Sequence, residues 1–200
     1  MRGRWPREFG KRWGWRQRER AVRVSKHVVE EILFDEQTIA RRIEALAQEI
    51  RKDYGADTPI HLVAVLKGSF IFLADLMRRL GGDVSCDFMA VSSYAGTQSS
   101  GEVRVNKDLD SGLEGRDVII VEDIVDTGTT LAYLQEILRA REPKSLKTAC
   151  LLSKPSRRKV NVPVEYVGFT IEDRFVVGYG LDVDERFRHL PYIAVAGEGA

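Results

Sequence analysis

The stretch VIIVEDIVDTGTTL, Val118 to Leu131, combines two chemistries that oppose each other. Asp126 to Thr130 has the makings of an oxyanion cradle. Gly128 lets the backbone come close, Thr127, Thr129 and Thr130 bring hydroxyl donors, and the N-terminus of a following helix favours negative charge. Yet three carboxylates, Glu122, Asp123 and Asp126, stand in or beside that turn. Two like charges about 4 Å apart cost several kcal/mol at an effective dielectric near twenty. The acids must therefore meet a different part of the ligand from the one the turn grips. Carboxylates accept hydrogen bonds from sugar hydroxyls and hold Mg²⁺ directly or through its waters. A phosphorylated sugar carrying Mg²⁺ offers a partner to every group. A single Asp at a helix start is ordinarily a cap. Two adjacent acids closing an apolar strand, with a third at the turn, exceed what capping requires.

Such a turn needs a strand before it and a helix after it. DVIIV (117–121) is a continuous apolar run of the kind found in a strand covered on both faces. Leu131, Leu134, Ile137 and Leu138 give the next helical face. IHLVAVL (60–66) is a second buried strand, KGS turns the chain, and Phe70, Leu73, Met77 and Leu80 mark a helix ended by Gly81-Gly82. Upstream, Ile39, Ile43, Leu46 and Ile50 share one helical face, closed by DYGADTP. VSCDFMAV (84–91), LKTACLL (146–152), VEYVGF (164–169) and YIAVA (192–196) read as further strands. SSYAGTQSSGEVR (92–104) reads as a long mobile loop. Strand and helix alternate from Ile60 to Leu152, which predicts an α/β fold on a mostly parallel central sheet flanked by helices. In such sheets ligands bind at the carboxyl ends of the strands. The G-x-x-x-x-G-K-[ST] and G-x-G-x-x-G phosphate motifs are both absent.

Composition narrows the class. The chain has 200 residues, 44% hydrophobic and 30% charged, suited to one globular domain. The net charge of +1 conceals an asymmetry. Met1 to Lys26 holds ten Lys/Arg, two Glu and all three tryptophans, while the remainder holds 21 basic and 28 acidic residues. The head, taken as residues 1–28, is expected to be a disordered basic extension of a domain spanning 29–200; the alternative is a grip on RNA. No apolar run spans a bilayer and no signal-peptide core opens the chain, so a cytoplasmic location is expected. Cys86 and Cys150 lie in apolar strands and are expected as buried reduced thiols; the three histidines form no metal cluster.

Several separated motifs now agree. VIIVEDIVDTGTTL resembles the phosphoribosyl-pyrophosphate (PRPP) motif of the type I phosphoribosyltransferases. VLKGSFIFLADL, SSYAGTQSSGEVR, LLSKP and DRFVVGYGLDVDERFRHLPYI resemble the 6-oxopurine branch of that family, in the same order, from about Val29 to Val195. The resemblance implies the type I phosphoribosyltransferase fold, with a small hood over the base mainly from about 160–200. It implies transfer of the 5-phosphoribosyl group of PRPP to N9 of hypoxanthine or guanine, with Mg²⁺ and release of pyrophosphate. Glu122 and Asp123 match the pair that holds the ribose hydroxyls and associated Mg²⁺, with Asp182 as a further metal ligand. Asp126, Thr127, Gly128, Thr129 and Thr130 match the 5′-phosphate loop, and Asp126 the acid that exchanges a proton at purine N7. Lys67 and Gly68 match the pyrophosphate loop, where the family has a cis non-proline peptide before the lysine, and Arg188 matches another pyrophosphate contact. Ser93 and Tyr94 match the start of a lid. Lys154 matches the lysine that reads the 6-oxo group, Phe175 the ring that stacks on the base, and Val176 a backbone contact to it.

The chain departs from common family residues at Arg174 for Lys, Ser69 for Gly and Thr129 for Lys. The departures bear on base preference and on the rigidity of the turn. Two other activities fit the same motifs: a xanthine-preferring transferase, and a PRPP-sensing regulator that binds nucleic acid through the basic head. The acidic body and the full set of acids favour the enzyme. A homodimer or homotetramer is expected, with neither a membrane nor a nucleic acid as partner.

Overall fold

A computed structural model describes residues 27–93 and 103–198. The basic head and Tyr94 lie outside the described residues. Six strands form the main sheet: β2 (Ile60–Leu66), β3 (Val84–Ser93), β4 (Val103–Lys107), β5 (Asp117–Val125), β6 (Ser145–Ser153) and β7 (Tyr166–Thr170). Their order across the sheet is β4-β3-β2-β5-β6-β7, parallel from β3 to β7 with β4 antiparallel at the edge. The α/β arrangement expected from the alternation is present. A second sheet joins the two ends of the domain: β1 (His27–Phe34) pairs with β9 (Ile193–Glu198), which pairs with β8 (Val176–Val177), all antiparallel.

Two layers of side chains hold the main sheet. On one face, helix α1 (Glu36–Tyr54) buries Ile39, Ile43, Leu46 and Ile50, the stripe expected from their spacing. Asp35 caps it by accepting from the Thr38 N–H at 2.7 Å, and Gly55, at φ 92°, closes it. Helix α2 (Phe70–Leu80) packs Phe72, Leu73 and Leu76 on the same face. Helix α3 (Thr129–Arg139) covers the other face with Leu131, Leu134 and Leu138 against Val63, Val118 and Ile120. Each such buried side chain contributes about 2 kcal/mol of transfer free energy. Among the described residues no helix is long and apolar enough to cross a membrane.

Four expectations need correction. Strand β5 continues past Val121 to Val125, so Glu122 and Asp123 are strand residues and only Asp126 to Gly128 form the turn. Both ends of the 92–104 segment are strand rather than loop: Ser92 pairs with Arg104 and Ser93 with Val103. Ser and Gly content concealed that pairing, because cross-strand partners, rather than local propensity, stabilise an edge hairpin. Cys150 is buried, but Cys86 is exposed. Cys86 leaves β3 on the face opposite the buried Asp87 and Met89. The 164–169 strand begins later, at Tyr166, and runs to Thr170.

Candidate active site

The sheet order reverses between β2 and β5, and an open α/β sheet has its crevice at such a switch point. Because β2, β3, β5, β6 and β7 are parallel, their carboxyl ends share one edge. That edge carries Lys67 to Ser69 after β2, Asp126 to Gly128 after β5 and Lys154 after β6.

The two strand ends beside the switch point touch. A Cβ placed on Gly68 would lie 1.5 Å from Asp123 Oδ2 and 2.5 Å from its Cγ. A Cβ on Gly180 would lie 2.0 Å from the Gly68 carbonyl oxygen. Three segments distant in sequence therefore meet where only glycine leaves room. The peptide Leu66–Lys67 is cis, as the resemblance implied. Ser69 ties the turn down: its buried hydroxyl donates to the Val65 carbonyl at 2.6 Å.

Strand alternation sends Glu122 and Asp123 to opposite faces. Asp123 faces the Gly68 loop, while Glu122 shares a cavity of about 100 Å³ with Asp126, Thr127, Gly128 and Thr130. That volume holds roughly three waters, the size class of a phosphate group. Burial pushes Glu122 well above the ordinary carboxylate range, and the neighbouring Asp123 charge adds to it. Burial also raises Asp123, to about 6, against the Ile124 N–H and Arg188, which favour the charged form. Among the described residues no three metal-ligating side chains converge. A hard divalent cation at this pair would take most of its shell from water and substrate oxygens, as Mg²⁺ commonly does. A cation beside Asp123 would relieve the burial of that carboxyl and, through its charge, the repulsion from Glu122 across the strand.

The phosphate turn is braced from behind. Gly128, at φ 85°, caps α3, and a Cβ there would lie 2.9 Å from the Val160 carbonyl. The Lys159 and Val160 N–H groups both donate to the Thr127 carbonyl, at 2.9 and 3.2 Å. Arg158 donates to the carbonyls of Val125 and Asp126 and, at 2.9 Å, to the Ser153 hydroxyl. The Thr129 N–H and the Thr127 hydroxyl form a local turn at 3.4 Å.

A charged chain runs from this turn to the far side of the crevice. Arg157 Nε lies 3.2 Å from Asp126 Oδ1, and Arg157 also pairs with Asp173 at 3.4 Å. Asp173 in turn faces the Lys154 ammonium at 3.4 Å. Lys154 is only 7% exposed, and its N–H donates to the Val125 carbonyl at 3.0 Å. Two residues beyond Asp173, Phe175 is 53% exposed, whereas Val176 is buried in the small sheet. Arg174 is turned away and pairs with Glu31 of β1 at 2.5 Å. On the opposite wall Arg188 bonds Asp182 at 2.8 Å, Glu185 at 3.3 Å and the Gly180 carbonyl at 2.7 Å. Lys67 pairs with Glu185 at 2.9 Å.

The structure thus gathers Lys67, Gly68, Asp123, Asp182 and Arg188 on one side of the crevice. Glu122 and Asp126 to Thr130 form its floor, and Lys154 and Phe175 stand on the other side. Ser93 ends β3 on the same edge. Arg157, Arg158, Asp173 and Glu185 escaped sequence reasoning. The Arg pair after LLSKP and the acid in LDVDERFR were visible, but their partners lie too far away in sequence to be guessed.

Comparison with known proteins agrees with this geometry. The phosphoribosyl transferase domain family matches residues 29–184. The hypoxanthine-guanine phosphoribosyltransferase of Bacillus subtilis is 48% identical over 173 residues, covering 86% of this chain and 96% of that one. The hypoxanthine phosphoribosyltransferase of Escherichia coli is 52% identical over 172 residues, covering 84% and 95%. Among solved structures, the hypoxanthine phosphoribosyltransferase of Trypanosoma cruzi, in complex with the product IMP, is 46% identical. It superposes with a TM-score of 0.79 over 84% of this chain and 94% of that one.

Proposed function

The chain belongs to the phosphoribosyl transferase domain family, and on that premise we propose that it salvages 6-oxopurines. It transfers the 5-phosphoribosyl group of PRPP to N9 of hypoxanthine or guanine and releases pyrophosphate with IMP or GMP. The observation that carries the proposal is the contact of Gly68 with Asp123 at the switch point. That contact supports reading Lys67–Gly68 as a pyrophosphate loop and Asp123 as a sugar-binding acid, three residues before the Asp126–Thr130 cradle.

Each group has one task. Thr127 to Thr130 hold the 5′-phosphate with hydroxyls and N–H groups, and Gly128 keeps the backbone close. Glu122 and Asp123 accept from the ribose hydroxyls. Of the three acids expected to hold Mg²⁺, Asp123 and Asp182 lie on one side of the strand and would hold it together, with Glu122 on the opposite face apart from them; the ion would spread the negative charge of the leaving pyrophosphate. Lys67, the Gly68 N–H and Arg188 take the pyrophosphate oxygens as charge develops on them. Asp126 accepts the proton at purine N7 while N9 attacks. Lys154 donates to the 6-oxo oxygen; adenine presents an amino donor there, so the ammonium donor aimed at that position, beyond the one shared with Asp173, goes unmatched. Phe175 stacks on the base and Val176 meets it through backbone atoms. Ser93 and Tyr94 begin the lid that excludes water. The enzyme works in the cytoplasm as a homodimer or homotetramer, which light scattering will report.

The test is product formation from PRPP with and without Mg²⁺, offering hypoxanthine, guanine, xanthine and adenine in competition. Mg²⁺-dependent IMP and GMP formation is expected. Faster turnover of xanthine would replace the hypoxanthine assignment, and no product with any purine would refute the enzyme.

A further inference from the structure

Glu185 is oddly placed. Asp182 to Phe187 forms a tight hairpin, in which Val183 and Arg186 exchange backbone hydrogen bonds at 3.3 and 3.0 Å. Its two central residues, Asp184 and Glu185, have φ 52° and 60°. That is the geometry of a type I′ turn, whose second central position favours glycine. Glutamate is a poor choice for this backbone, so its side chain must account for its presence.

The side chain uses both oxygens. Oε1 accepts from the Lys67 ammonium at 2.9 Å, and Oε2 faces the Arg188 guanidinium at 3.3 Å. These two cations are the groups assigned above to pyrophosphate, and the inference rests on that assignment. Asp182 already pairs with Arg188 at 2.8 Å. Lys67 and Arg188 are thus balanced by Asp182 and Glu185, and loss of Glu185 would leave the group with one net positive charge.

We propose that Glu185 is a built-in competitor for pyrophosphate. Its carboxylate bridges Lys67 and Arg188 while the site is empty. It swings away when pyrophosphate oxygens arrive and returns as they leave, which speeds product release. Two features permit the exchange. The Lys67 and Glu185 side chains are each 64% exposed, so the pair can separate into water. Glu185 also sits at a turn tip rather than within a packed element. Its backbone stays fixed while the side chain moves, because its N–H donates to Asp182 Oδ2 at 2.8 Å.

Two variants test this, Glu185→Gln and Glu185→Gly. Glycine suits the φ of 60°, so the second variant folds even if the turn is demanding. Inhibition of IMP formation by inorganic pyrophosphate with Mg²⁺ is measured in each. An exposed ion pair is worth up to about fivefold, so pyrophosphate should bind about fivefold more tightly to both variants. KM for PRPP should fall in parallel, while KM for hypoxanthine stays the same. Unchanged or weakened pyrophosphate inhibition in both variants would overturn the proposal, since a merely structural carboxylate can only help the site when present. Lys67→Ala separates the two levels of the argument. If Lys67→Ala weakens pyrophosphate and the Glu185 variants do not tighten it, the competitor idea alone fails. If Lys67→Ala leaves pyrophosphate binding intact, the assignment of Lys67 fails and takes the competitor idea with it.

Discussion

Gly68→Ala is expected to remove activity while leaving the fold in place. The added Cβ would start 1.5 Å from Asp123 Oδ2, 2.5 Å from Cγ and 3.1 Å from Cβ. Ordinary carbon contacts begin near 3.5 Å, so about 2 Å must open. Rotating the Asp123 carboxylate relieves only part of this, because its Cβ remains too close. Rotation also gives up the 2.7 Å bond from the Ile124 N–H to Oδ1. The loop cannot retreat instead, since the Gly68 carbonyl is already packed under Gly180. Overpacking of this kind costs about 1–3 kcal/mol, or several degrees in Tm for a chain of this length. Catalysis suffers more, because a misplacement of about 1 Å in a positioned group can cost on the order of a hundredfold. The expected result is a loss of at least about a hundredfold in kcat/KM with PRPP and hypoxanthine, alongside a cooperative melt. Gly112→Ala is the control: its Cβ meets nothing within 4 Å, and both activity and Tm should match the parent. Activity of Gly68→Ala within about fivefold of the parent would refute the argument that this contact sets the geometry of the site.

Asp126→Asn should keep PRPP affinity within a few-fold and slow single-turnover product formation by about 10²–10⁴, the usual worth of a positioned base; unchanged turnover would refute its proton-transfer role. Lys154→Met should lower the kcat/KM ratio of hypoxanthine to adenine by more than about tenfold, read in parallel assays, because the donor that matches a 6-oxo group and mismatches an amino group is gone. Asp87→Ala should destabilise the fold by about 2–4 kcal/mol in urea melts, since the buried carboxylate accepts from the N–H groups of Phe88, Asp110 and Ser111 at 2.7, 2.8 and 3.1 Å. Burial works to raise Asp87, but these N–H groups and Lys107 together hold it below the ordinary carboxylate range. Its stabilisation is therefore complete above about pH 4 and is lost as pH falls through the lower folded value. Tm of the parent should drop more steeply below pH 4 than Tm of Asp87→Ala, and parallel curves would count against the assignment.

The parts of the fold that were legible in sequence are those with local causes. Ile60–Leu66, but for His61, and Val118–Val121 are apolar throughout because both faces of their strands are covered, and α1 shows its stripe because one face is wet. Strand β1 did not show. HVVEEILF alternates imperfectly, and its pairing with β9 carries irregularities between Val29 and Glu31 and between Ile32 and Phe34. Its partner lies at the other end of the chain, where no local signal reaches. The site divides in the same way. Glu122, Asp123 and Asp126 to Thr130 lie within nine residues of one another and could be read as a unit. The Arg157–Asp126 and Lys67–Glu185 pairs depend on sheet order and hairpin geometry. A list of residue types carries neither.

The apparent conflict between carboxylates and phosphate is resolved by strand geometry. Because β5 runs on to Val125, Glu122 and Asp123 take the alternation of a strand and leave on opposite faces. One acid then lines the wall of the cavity at the turn while the other meets the Gly68 loop. Their burial makes the ligand-free site costly, since both carboxyls are pushed toward their neutral forms. A ligand bringing hydroxyl donors and a divalent cation removes that cost, and an isolated phosphate does not. Discrimination therefore begins before the base is read. On the proposed reading, the cradle would accept any phosphate that fits, and only one attached to a metal-bearing sugar would satisfy the acids beside it. Asp123→Asn tests the balance: it should raise the Tm of the ligand-free protein near pH 8, where the buried charge is fully developed, and reduce the Tm gain from PRPP with Mg²⁺. A lower ligand-free Tm would mean that the carboxylate serves the fold rather than the sugar.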